Sequence, residues 1–155
     1  MMMRNKSDFL RKNFRKTTKA DIPRLFEIQD AGENFWTAER FSKEIHNDLS
    51  HNEVVLLNEI VVGFACLWIL ADTADLHNIF VAPNYRRRQI GSALMTHMEG
   101  LAREKQAMRL LLEVSSGNQP AQNLYNNFGF QAVGIRKKYY QSGDAILMEK
   151  SWKSV

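Results

Sequence analysis

Cysteine, proline and long apolar runs are all scarce in this chain. A single cysteine, Cys66, rules out an internal disulfide. Its apolar neighbours read as the surroundings of a small buried hydrophobe. An acyl-carrying thiolate would need a histidine within reach. Three prolines leave no proline-rich linker, and neither an internal repeat nor a low-complexity segment occurs. The longest apolar run, Ile60 to Leu70, is broken by Gly63 and is too short to cross a bilayer as a helix, so it reads as a buried strand. No apolar stretch of signal-peptide length follows the basic residues Met1 to Arg15. The expectation is a cytoplasmic protein that engages no membrane. A metal site is equally unexpected: Asp72, Asp75 and His77 make no convincing ligand set, because the acids fall in a turn and no other ligand run exists.

What is present fits one domain. The chain has 155 residues, 45% hydrophobic and 25% charged, enough to fill a core. Residues 1–13 read as a basic, flexible tail and 14–155 as a single domain. The formal charge is +4 and the pI about 9.3. Part of the excess lies in Arg4, Lys6, Arg11, Lys12, Arg15 and Lys16, and part in the triplet Arg86-Arg87-Arg88. Such a balance suits nucleic acid or a polyanionic small molecule. No aromatic-interleaved basic strand stands out, so nucleic acid is not expected.

Hydrophobic periodicity orders the elements. Phe14 to Thr18 predicts a short strand, and Thr18-Lys19-Ala20-Asp21 a capping box with Asp in place of Glu. Ile22, Leu25, Phe26 and Ile28 give a helical apolar face. A second helix begins near Thr37 and carries Phe41 and Ile45 on one side. Glu53–Leu57 and Ile60–Leu70, parted by Asn58-Glu59, predict a hairpin, and Ala74–Val81 a third strand of that sheet. A helix follows from Gly91 to near Gln106, then a strand from Met108 to Val114. A helix at 119–128 is capped by Gly129, with Leu124 and Phe128 on its buried face and Tyr125 offset by about 100°. Strands near 130–140 and 144–152 close the chain. The order β-α-α-β-β-β-α-β-α-β-β predicts an α/β (α+β) domain: a mixed sheet with about four helices on its two faces.

Two places carry chemistry. At Val81 to Leu94 a strand ends, a basic turn follows and a helix starts at Gly91. Unpaired N–H groups and the helix dipole make such a start a phosphate cradle, and Gly91 permits close approach. An ordinary basic helix start would look the same. Glu113 ends the apolar strand Leu110 to Val114, where partial desolvation would tune it as a general base. A strand-edge Glu facing water is the alternative. Tyr125 would look toward a cleft, and a phenol is a competent acid for a thiolate. His77 is a further candidate base, placed by strand alternation beside Ile79 and Val81, where a structural role is the commoner one.

The stretch Arg86 to Gly91 resembles the acetyl-CoA signature of the GCN5-related N-acetyltransferases (the GNAT superfamily), Arg/Gln-x-x-Gly-x-Gly/Ala. Arg86 matches the first position and Gly91 the last, while Gln89 replaces the first glycine. Gln89 serves there if its φ is negative; a positive φ would cost about 1 kcal/mol. Within the superfamily the chain is similar to the bacterial ribosomal-protein alanine N-acetyltransferases of the RimI type. The similarity runs through Phe35-Trp36-Thr37, Asn78 to Val81, Leu112-Glu113-Val114, Asn118, Ala121 to Phe130, Arg136 to Tyr140 and Asp144 to Met148.

This resemblance implies a splayed sheet and direct transfer from acetyl-CoA to the N-terminal amine, alanine in that family, of a small-subunit ribosomal protein. It implies Glu113 as proton acceptor and Tyr125 as donor. Ile79, Phe80 and Val81 would offer backbone to the acetyl-pantetheine arm. Arg86, Arg87, Arg88, Gln89, Ile90, Gly91 and Ser92 would hold the phosphates, and Asn118 would contact CoA. Phe35, Trp36, Tyr139 and Tyr140 would face the acceptor peptide. A hydrophobic staple before Thr37 accounts equally for the first pair, and cross-strand packing nearly as well for the second. The expected partners are acetyl-CoA and a protein N-terminus or peptide, with the chain a monomer or weak dimer. A lysine, polyamine or other small-amine acceptor is the alternative, and a noncatalytic CoA-binding module a second.

Overall fold

The computed structural model describes residues 13–30, 34–140 and 143–152. Of the expected tail, residues 1–12 therefore lie outside the described residues. The elements are β1 (Phe14–Lys16), α1 (Ile22–Ile28), α2 (Ala38–Ile45), β2 (Ser50–Leu57), β3 (Ile60–Leu70), β4 (Thr73–Val81), α3 (Ile90–Glu104), β5 (Arg109–Ser115), α4 (Gln119–Asn127), β6 (Gln131–Tyr140) and β7 (Gly143–Ser151). Short 3-10 turns at Lys19–Asp21 and Pro83–Tyr85 precede α1 and α3. The order is the one the periodicity predicts.

Local chemistry explains the joints. The Asp21 carboxylate accepts from the Thr18 N–H at 2.8 Å, which fixes the entry to α1. Thr37 caps α2 by accepting from Arg40 N at 3.1 Å. Asn58 and Glu59 both take left-handed φ, +50° and +67°, so β2 and β3 join through a tight turn whose twist matches the strands.

Seven strands form one sheet in the order β1-β2-β3-β4-β5-β7-β6. Every neighbouring pair is antiparallel except β4 and β5. β3 runs through the middle of the core and feeds two clusters, its alternation broken where Val62 is the extra residue against β2. Val62, Ala65 and Leu67 pack with Leu94, Met95 and Met98 of α3 on one face. Val61, Phe64 and Cys66 pack with Leu25 of α1, Trp36 and Phe41 of α2 on the other. Two expectations shift here. Phe26 is 45% exposed, because Ile22, Leu25 and Ile28 at three-residue spacing already form the buried face of α1. On α4 the buried residue is Tyr125, while Leu124 and Phe128 are only partly covered.

Candidate active site

β4 and β5 pair in parallel at Thr73↔Arg109, Ala74↔Leu110 and Asp75↔Leu111, and the ladder stops there. Past that row the strands separate, and a cavity of about 820 Å³ opens between them. A bulge helps to part them. β3 pairs Leu67 with Leu76 and Cys66 with Asn78, so His77 is the extra residue of β4. A bulge of this kind bends the strand and interrupts its alternation. It therefore replaces the expected regular alternation of His77 with Ile79 and Val81. On its other edge β4 stays paired, through Ala65↔Ile79, Phe64↔Phe80 and Gly63↔Val81. The edge facing the cavity leaves main-chain groups open to an extended ligand.

At one end of the cavity lies the start of α3. The Ala93 N–H donates to the Gln89 carbonyl at 3.1 Å, closing the first helical turn. The N–H groups of Ile90, Gly91 and Ser92 precede that bond, and the cap Gln89 supplies no side-chain hydrogen bond to them. All three residues line the cavity. An uncapped helix start with donors turned into a cavity is an anion site. Gln89 reaches this arrangement with φ +61°, and Arg87 with φ +63°, so the positive φ that Gln89 tolerates only at a cost is the one it adopts. A Cβ on Gly91 would meet nothing nearer than Val81 at 3.9 Å, so packing within the protein does not require glycine there.

Glu113 and Tyr125 line the same cavity from different elements. Glu113, on β5 past the last paired row, is 26% exposed, and its Oε1 lies 2.9 Å from Arg136 Nη2 on β6. Tyr125 is held from behind. The C-terminal end of α4 is a Schellman motif: Phe130 N–H donates to the Tyr125 carbonyl at 3.0 Å, Gly129 N–H donates to Asn126 at 3.0 Å, and Gly129 takes φ +91°. The Phe130 ring then packs edge-on against Tyr125 at 5.8 Å. The start of α4 is fixed as firmly. Asn118 accepts from Ala121 N at 3.2 Å, and Gln122 donates to the carbonyls of Ser115 and Ser116. Thus the end of β5 and the helix that carries Tyr125 form one unit.

Ile79, Phe80, Val81, Arg86, Arg87, Gln89, Ile90, Gly91, Ser92 and Asn118 all line the cavity. Arg88 does not; its guanidinium lies over the Tyr85 ring, 5.3 Å from the centroid. Arg86 is engaged by Asp30 at the end of α1. Trp36 is 6% exposed and packs edge-on against Phe41 at 5.3 Å, and Gln29 holds both its N–H and its carbonyl. That is the staple geometry, with the residue before the cap against the fourth of the helix. Phe35 is exposed and meets Phe26. Tyr139 lies on the exposed β6 under the Arg136 guanidinium, 4.8 Å from the ring centroid. The side chain of Tyr140 lies outside the described residues.

Asp30 and Asn34 line the cavity although no local pattern pointed to them, and His77, the further candidate base, lines it as well. Asp30 meets Arg86 across 56 residues of sequence, a contact that only the tertiary fold creates. Cys66 is fully buried away from the cavity, and burial pushes its thiol up to about 12, so it carries no thiolate. Among the described residues, no group of three His, Cys, Asp or Glu side chains converges on a metal position.

Strands splayed beside an uncapped helix start form a site for an extended, phosphate-bearing ligand, and residues 19–130 match the family model described as the Acetyltransferase (GNAT) family. The chain belongs to the GNAT acetyltransferases and is an N-acetyltransferase that uses acetyl-CoA. It is similar to a Bacillus subtilis (strain 168) protein provisionally named as a ribosomal-protein-bS18-alanine N-acetyltransferase, 38% identical over 132 residues, 83% of this chain and 87% of that one. The bS18-alanine N-acetyltransferase of Escherichia coli (strain K12) is 31% identical over 133 residues, covering 83% and 89%. The crystal structure of the ribosomal-protein-S18-alanine N-acetyltransferase from Escherichia coli superposes with a TM-score of 0.84 at 28% identity, over 92% of this chain and 94% of that one.

Proposed function

We propose that this enzyme acetylates the N-terminal amine of a small-subunit ribosomal protein, with alanine as the first residue. The observation that carries the reading is that Glu113, Tyr125 and the uncapped start of α3 all open on one cavity. When bound there, acetyl-CoA supplies an acetyl group activated as a thioester.

The N–H groups of Ile90, Gly91 and Ser92, with Arg86 and Arg87, hold the diphosphate at the positive end of α3. Asp30 releases Arg86 as phosphate competes for it. The open edge of Ile79 to Val81 takes the arm by main-chain hydrogen bonds, and Asn118 borders its path. Glu113 accepts a proton from the acceptor ammonium, so that a lone pair is free to attack. An α-amine, with a reference pKa near 8, yields that proton more readily than a lysine near 10.4. Tyr125 donates a proton to the departing sulfur. A polyamine or lysine acceptor is less well supported. Among the described residues that line the cavity the acidic ones are Asp30 and Glu113, and an arginine holds each of them.

The test is mass spectrometry of an alanine-initiated peptide with an internal lysine, after incubation with acetyl-CoA. The reading expects one acetyl group, on the α-amine; acetylation of lysine alone overturns it. Glu113→Gln and Tyr125→Phe should each lower kcat by roughly a hundredfold or more with the fold intact. Unchanged turnover in both removes these residues from the mechanism.

A further inference from the structure

The nitrogen of the acceptor must lose two protons, not one. It enters as an ammonium with three and leaves as an amide with one. The C–N bond forms as the C–S bond breaks; one proton ends on the CoA thiol and the other goes to solvent. Glu113 can take the first. We propose that His77 is a second proton acceptor in the cavity, receiving one of these protons from the nitrogen while Glu113 receives the other. This rests on the acetyl-transfer reading above.

Position comes first. Asp75 and Leu111 form the last paired row of β4 and β5, and His77 and Glu113 each lie two residues beyond it. They are counterparts on the two walls of the splay, and both line the cavity. The bulge at His77 sets this residue apart from its paired neighbours.

Support comes second. The imidazole stacks on Trp68 of β3, ring centroids 4.4 Å apart and planes 28° apart. Trp68 is fixed in turn: its indole N–H donates to Glu44 of α2 at 2.7 Å, and Glu44 is further held by Ser50 and Arg40. The ring is thus oriented by stacking, and it lines the cavity. A half-buried imidazole held by stacking at the wall of a reaction cavity has a ring nitrogen able to accept a proton there.

The charges around it leave it neutral and ready to accept. Burial lowers its pKa from the ordinary 6.5, and Arg40 of α2 acts in the same direction. Glu44 of α2, Asp75 of β4 and Glu113 of β5 oppose this without reversing it.

The experiment compares wild type with His77→Gln and His77→Phe in a thiol-release assay from low to neutral pH, using an alanine-initiated peptide and a lysine-bearing, N-blocked one. The phenylalanine keeps the ring stacked on Trp68 and removes the proton acceptor. Both variants should lose at least about tenfold in kcat, with KM for peptide and acetyl-CoA within roughly threefold of wild type. At low pH the kcat of wild type should fall with the second power of proton concentration, and that of the variants with the first. Wild-type kcat and pH slope in His77→Phe would overturn the proposal and leave His77 a wall of the cavity. A wild type that releases no thiol with either peptide would overturn the proposed function, and this inference with it.

Discussion

Gln89 caps α3 at φ +61°, where a side chain costs about 1–2 kcal/mol. Glycine would remove that cost but widen the unfolded ensemble by about 0.4–1 kcal/mol. Gln89→Gly should therefore raise stability by about 0–1.6 kcal/mol, read as a higher urea midpoint at unchanged m. A lower midpoint would mean that the glutamine side chain is itself held in place. The glycine that Gln89 replaces was legible from the motif, but the sign of φ there was left open; that glutamine adopts a positive one was not legible, because dihedral strain leaves no mark on a sequence. Glu113 and Tyr125 stood out by residue type and spacing. Arg136, which pairs with Glu113, and Asp30, which pairs with Arg86, did not. Each meets its partner only after distant strands or helices are assembled.

The elements that aim the site are short and locally encoded. Gly129 follows the last turn of α4, and its φ of +91° is the reason for glycine. A Cβ there would find room, with Lys150 no nearer than 3.6 Å, so Gly129→Ala tests conformation rather than clash. It should cost about 1–2 kcal/mol and loosen the carbonyl bond that anchors Tyr125. Chemical denaturation should show the loss, with a fall in kcat exceeding any change in acetyl-CoA KM. Wild-type stability would show that α4 does not depend on this cap. Gly63 is the opposite case. A Cβ there would lie 2.8 Å from Val55 Cγ1 and 3.1 Å from the Phe80 carbonyl. Gly63→Ala should destabilise by about 1–3 kcal/mol. In the sequence Gly63 merely interrupted an apolar run; the close approach of β2 and β4 to it became visible only in the sheet. The bulge at His77 was hidden for a similar reason, since register is a property of two strands and not of one.

At the scale of the molecule, burial on both faces of the sheet was readable from periodicity, and with it the order of strands and helices. The buried carboxylate of Glu44 was not readable, because its partners come from α2, β2 and β3. Burial alone would raise its pKa, but the hydrogen bonds from Trp68 and Ser50 and the charge of Arg40 together bring it below the ordinary 4.5. Asp21 is lowered from 3.8, first by its hydrogen bond with Arg15. Both groups are depressed in the folded state. Their stabilisation is complete above the unfolded values and is lost as pH falls through the folded ones. Acid unfolding should therefore set in below about pH 4.5, and Glu44→Gln should be less stable at neutral pH but show a shallower loss below it. An unchanged pH slope in thermal melts would assign acid sensitivity to other groups.

The central claim is that one cavity joins acetyl-CoA to a protein α-amine. Its most direct measurement is the site of acetylation on an alanine-initiated ribosomal peptide that also bears a lysine. The account predicts a single acetyl group on the α-amine, formed in step with thiol release and strongly reduced in Glu113→Gln. Acetyl groups confined to lysine, or thiol release that no peptide stimulates, would contradict it.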